Sequence, residues 1–211
     1  MNAAVSFSLA DRIAELGGID SARLRATPAP GTATLQDLQR INDHSKPLCE
    51  LVDQTLVEKV MGYEASVVAG AILHLLREFV SINRLGIVSG ADGMFRLPTA
   101  DVRGPDVAFL SNERKPGGKF PAETYPSLTP DLVVEVLSRG NTKAEMSRKR
   151  IEYFHSGVRL VWMVDCSDRS VAVYTSPSSV VIVNETEMID GGAVLLGFSS
   201  PVADFFSDLD S

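Results

Sequence analysis

The segment PDLVVEVLSRGNTK, residues 130–143, constrains the fold more tightly than any other part of the chain. From Leu132 to Leu137 it is aliphatic except for one carboxylate, Glu135. A short run of Val and Leu bounded by turn residues marks a strand buried on both faces of a sheet. An ionised carboxylate in such a place is costly unless something charged meets it. The chain must therefore build a sheet around this strand and supply a partner for Glu135.

The surrounding pattern supplies the sheet. VRGPDVAFLS (102–111) is a second apolar strand, and IVSG and GMFRL before it are also rich in strand formers. In GYEASVVAGAILHLLREFVSINRLG, apolar residues at 65, 68, 72, 75, 76 and 79 follow the helical period, with Gly86 expected to stop the helix. TKAEMSRKRIEYFHSG reads as a polar-rich helix ending at Gly157, followed by the strand–turn–strand LVWMVDCSDRSVAVYTS. The tail after it carries weak strands and a short terminal helix. Near the start, CELVD-QT-LVEKV reads as a hairpin and Thr34 caps a short helix, LQDLQRIND. Before that, a helix over Leu9–Leu16 stops at Gly17-Gly18, and TPAPGTAT (27–34) reads as a linker. This order predicts a mixed α/β sheet flanked by helices, with residues 1–34 an extension and residues 35–211 one domain.

Bulk properties bound the function. At 211 residues, 45% hydrophobic and 22% charged, the composition is that of a globular domain. No apolar run is expected to span a bilayer, and the N-terminus lacks a basic start, so a cytoplasmic protein without membrane contact is expected. Cys49 and Cys166 lack metal or redox spacing and read as small buried thiols; the three histidines show no ligand spacing either. The net charge of −7 argues against a generic nucleic-acid coat protein but leaves room for an acidic metal site beside a local basic patch.

Glu135 has a counterpart. Asp106 follows Pro105 at the entry of its own apolar strand, and two neighbouring strands would bring these acids together. Converging carboxylates repel and raise each other's pKa. A divalent cation removes that conflict, and Mg²⁺ uses only one or two protein carboxylates. Such an ion activates water and stabilises charge on a phosphodiester. On the helix after the Glu135 strand, Glu145, Lys149 and Tyr153 are spaced four apart on one face. Lys149 there either reaches the carboxylates or forms a solvated pair with Glu145. Glu64 either complements the dipole of the long helix or points inward as a further metal ligand. Asp131 shares a strand face with Glu135 but reads as a strand-entry residue, Glu50 is a weaker neighbour candidate, and Asp165 reads as a turn residue.

Together CELVDQTLVEK, GYEAS, FRLPTADVRGPDVAFLS, PDLVVEVLSRGNTKAEMSRKRIEYFHSGVRLVWMVD and VAVY resemble the restriction endonuclease-like domain family of Uma type, within the PD-(D/E)XK nuclease superfamily. The resemblance runs from about residue 34 to 205. It implies a restriction-endonuclease-like core in which Asp106 and Glu135, with Glu64, hold Mg²⁺ or Mn²⁺, and in which Asp106, Glu135 and Lys149 are catalytic. The superfamily lysine usually stands two residues after the second acid, where this chain has Leu137; the family's lysine is expected on the next helix, at Lys149. The implied function is a metal-dependent endonuclease acting on DNA, with a homodimer by analogy. Arg139, Lys143, Arg148 and Arg150 would contact the DNA backbone, as would Arg114, Lys115 and Lys119 in the long loop. The rival expectation is a non-catalytic nucleic-acid-binding or interaction module on the same scaffold.

Overall fold

The computed structural model describes residues 8–119 and 122–210. In chain order the first elements are α1 (Leu9–Glu15), α2 (Leu35–His44), β1 (Cys49–Val52), β2 (Thr55–Glu58) and α3 (Tyr63–Ile82). Next come β3 (Gly86–Gly90), β4 (Phe95–Arg96), β5 (Val102–Arg103), β6 (Val107–Ser111) and β7 (Leu132–Val136). Then follow α4 (Lys143–His155), β8 (Leu160–Asp165), β9 (Ser170–Tyr174), β10 (Val180–Asn184), β11 (Met188–Gly191) and β12 (Leu195–Pro201). The chain divides into two compact units, Met1–Val60 with Gly140–Lys149, and Met61–Arg139 with Arg150–Ser211.

In the first unit, local chemistry starts each helix. Ser8 with Asp11, and Thr34 with Asp37, form reciprocal capping boxes that satisfy the opening N–H groups of α1 and α2. β1 and β2 pair antiparallel around Asp53 and Gln54, whose φ values of 44° and 56° give the primed two-residue turn that matches strand twist. The segment expected to be a bare linker is docked on this hairpin. The amides of Gly31 and Ala33 both donate to the Gln54 carbonyl, and Ala33 is buried. Its backbone finds acceptors at the turn, so it needs no side-chain core of its own. Leu16 and Ile19 pack with Val52 and Val57, which makes the extension part of this unit rather than an appendage. Gly17 takes φ +88°, and a Cβ there would lie 2.4 Å from the Glu145 amide nitrogen, so only glycine permits that approach.

The second unit is built on a six-stranded sheet in the order β10-β9-β8-β7-β6-β3. β7 and β8 run parallel, joined by the α4 crossover, and every other neighbouring pair is antiparallel. The sheet is therefore mixed, as expected. α3 lays Ala65, Val68, Ala69, Ile72, Leu76 and Val80 into one core with Val107, Phe109, Leu132, Val134, Val136 and Trp162. Each buried Val, Leu, Ile or Phe among them contributes about 1.5–3 kcal/mol. α3 is long and apolar enough, by length and composition, to cross a membrane, which corrects the expectation that no run reaches that length. Its apolar stripe is spent on the sheet instead.

Gly86 does not stop α3. The helix ends at Asn83, with Arg84 at φ 54°, and Gly86 opens β3. A Cβ on Gly86 would fall 2.1 Å from the Leu110 carbonyl oxygen on β6. The glycine serves strand approach rather than helix termination.

Candidate active site

Strand alternation sorts the side chains of β7. Leu132, Val134 and Val136 lie in the α3 core, so Val133 and Glu135, one residue out of phase, project from the opposite face. On β6 the same alternation sends Val107 and Phe109 to the α3 side. Ala108 and Leu110 go to a smaller core with Phe95 and Leu128.

Asp106, at the entry of β6, holds the β7 backbone on both sides of Glu135. Its N–H donates to the Val134 carbonyl (3.1 Å), and its Oδ2 accepts from the Val136 N–H (2.8 Å). The two acids expected to converge are thus adjacent in space, and both are buried, Asp106 6% and Glu135 4% exposed. Glu135 Oε1 accepts a 2.5 Å hydrogen bond from the hydroxyl of Tyr153, which is 1% exposed. Sequence reasoning placed Tyr153 on the correct helix face but did not see this role. The available signal was its spacing of four from Lys149.

The solvated Glu145–Lys149 pair, one of the two alternatives for this helix face, gives way to two buried pairs within the first unit. Glu145 receives a two-pronged guanidinium bond from Arg23 (3.0 and 2.8 Å), and Lys149 Nζ lies 3.4 Å from Glu50 Oε1. A planar fork matches a carboxylate better than an ammonium does, so Arg23 takes Glu145. Burial works against the Glu145 charge, but Arg23, aided by the positive charge of Lys149, outweighs it and holds the carboxyl below its ordinary range.

Glu64 is not brought to Asp106 and Glu135. It is exposed on the first turn of α3, and α3 covers the Val134–Val136 face of the sheet, the face opposite Glu135. Its charge acts instead on Cys166, whose thiol is pushed up to about 11 by burial, with Glu64 and Asp165 adding to the effect. Cys49 is likewise free, buried and raised, chiefly by burial. Asp165 accepts from the Ser167 and Asp168 amides and closes the turn after β8.

Asp131 is a structural hub. It pairs with Arg114 (2.8 Å) and Arg159 (2.7 Å) and accepts from the Ser111 amide (2.7 Å). Arg114 also donates to the carbonyls of Thr129 and Gly157, so this residue, expected to face DNA, is committed to the fold. Lys115 donates to Asn112 Oδ1, whereas Lys119 is exposed. Among the other cations, Arg139 and Lys143 are exposed. Arg148 is tied to the Glu15 carbonyl and Asp53, and Arg150 stacks 4.4 Å over the Tyr174 ring.

Among the described residues, no group of three or more His, Cys, Asp or Glu side chains is placed to hold a metal ion. Two carboxylates on neighbouring strands nevertheless suit Mg²⁺ by type, since it takes hard oxygen ligands and keeps several waters; they do not suit a structural zinc.

Residues 35–203 match the family model of Uma2, described as "Putative restriction endonuclease". The chain belongs to the Uma2 family. Asp106, Glu135, Tyr153, Lys149 and Glu50 all lie within the Uma2 match, whereas Arg23 lies before it. The fold is shared with a solved structure from Anabaena variabilis, described as a putative nuclease belonging to DUF820. The TM-score is 0.71 at 15% identity, covering 82% of this chain and 97% of that one. No curated protein matches this Uma2 sequence.

Proposed function

We propose that this protein is a nuclease, and specifically an endonuclease that hydrolyses DNA phosphodiester bonds with Mg²⁺, Mn²⁺ substituting. The observation that carries the reading is the pair of buried acids, with Asp106 clasping the peptide groups on either side of Glu135. The descriptions of the Uma2 family and of the Anabaena protein support the nuclease class.

Asp106 and Glu135 would hold the metal. When bound, such an ion activates a water and stabilises charge on the scissile phosphate. Asp106 sets the geometry by locking its carboxylate to the strand that carries Glu135. Lys149, which the family resemblance assigns as the lysine, would supply the cation of the reaction, and its ammonium pairs with Glu50. Arg139 and Lys143, both exposed, would contact the DNA backbone and set register without reading sequence. A homodimer would present two such centres to the two strands.

One observation favours a second reading, a non-catalytic nucleic-acid-binding module. Leu137 stands at the superfamily's lysine position, and the substitute Lys149 is paired with Glu50. Crystals soaked in Mn²⁺ separate the two. Anomalous density bridging Asp106 and Glu135 supports the endonuclease, and its absence at millimolar Mn²⁺ favours the binding module.

A further inference from the structure

We infer that Tyr153 is the positioning residue that presents Glu135 to the cation; the inference rests on the nuclease reading above. Its hydroxyl donates to Glu135 Oε1 at 2.5 Å, and both side chains are almost wholly buried. The terminal torsion of a glutamate is broad, so an untethered carboxylate samples many orientations. A bond to one oxygen selects among them. The donor is a phenol on a packed ring, so it holds one position and does not wander as a water would.

The phenol donates this hydrogen bond while carrying no charge of its own. Hydrogen-bond partners of metal-ligating groups are commonly worth 10–100-fold in metal affinity.

The test is calorimetric titration of Mn²⁺ into the full chain as wild type, Glu135→Gln and Tyr153→Phe, alongside thermal melts in EDTA. The expected result is binding by wild type, loss of it in Glu135→Gln, and about tenfold weaker binding in Tyr153→Phe. Tyr153→Phe should keep a cooperative metal-free melt. The Mn²⁺ concentration for half-maximal cleavage should rise by the same factor, with the rate at saturating Mn²⁺ retained. Replacing Tyr153 by p-aminophenylalanine, which restores a donor on the ring, should recover the affinity.

Wild-type Mn²⁺ affinity in Tyr153→Phe, with Glu135→Gln still unable to bind, overturns the role of Tyr153 and leaves the nuclease reading standing. A Tyr153→Phe chain that loses its cooperative melt in EDTA also overturns it, because the hydroxyl then serves the fold. A wild type that binds no Mn²⁺, or a Glu135→Gln that binds it normally, overturns both readings.

Discussion

Two Pro-Asp dipeptides, Pro105-Asp106 and Pro130-Asp131, enter neighbouring antiparallel strands and end in buried carboxylates, yet they meet different partners. Asp131 is wholly buried between two guanidinium groups and a backbone amide. Asp106 is joined to the peptide backbone around Glu135, and Glu135 to a phenol. The guanidinium groups cement Asp131 to the loop and strand that carry them. The amide and the phenol instead fix how the Asp106 and Glu135 carboxylates are oriented.

Mutations can break this comparison. Asp131→Ala leaves the Ser111 N–H without its acceptor and Arg114 and Arg159, both partly exposed, without their shared anion, and should lower stability by about 1–3 kcal/mol, read as a reduced urea midpoint. The folded fraction should still cleave DNA. Asp106→Asn should do the reverse, keeping most of the stability while cutting the cleavage rate by about 10²–10³-fold. Equal loss of stability and unchanged cleavage in Asp106→Asn would erase the distinction.

A third prediction concerns the buried pair of the first unit. The folded pKa of Glu145 is depressed, so the stability it adds is present above its unfolded value near 4.5 and is lost as pH falls through the folded value. Glu145→Gln should therefore destabilise more at pH 7 than at pH 3, a difference visible in melts across that range. The smallest effects are expected at the surface. Arg139→Ala or Lys143→Ala should each weaken DNA binding uniformly across sequences and reduce the salt slope by about one. Arg114→Ala, by contrast, should lower the melting temperature, since its guanidinium is held by Asp131 and backbone carbonyls.

Much of this was readable from residue order. The apolar run around Glu135, the periodicity of α3 and the β1–β2 hairpin are local signals, and each formed the element its pattern demands, although the hairpin turns at Asp53-Gln54, one residue before the expected Gln54-Thr55. Adjacency of Asp106 and Glu135 followed from two apolar strands competing for one core. Periodicity names a face, however, and not what lies across from it. Glu64 shares a helix with the core stripe, but nothing local reveals that α3 covers the sheet face away from Glu135. Arg23 meets Glu145 across 122 residues of sequence, and no local pattern encodes that fork. The TPAPGTAT segment misled because its anchor is backbone hydrogen bonding to Gln54, which carries no side-chain signature.

The central claim is that Asp106 and Glu135 form a metal-dependent cutting centre. Its most direct test is cleavage of plasmid and single-stranded DNA over a Mg²⁺ titration, comparing wild type with a Glu135→Gln variant shown to fold. The account predicts cleavage by wild type that EDTA abolishes and that Glu135→Gln loses. Equal cleavage by both proteins, or cleavage by wild type that persists in EDTA, would contradict it.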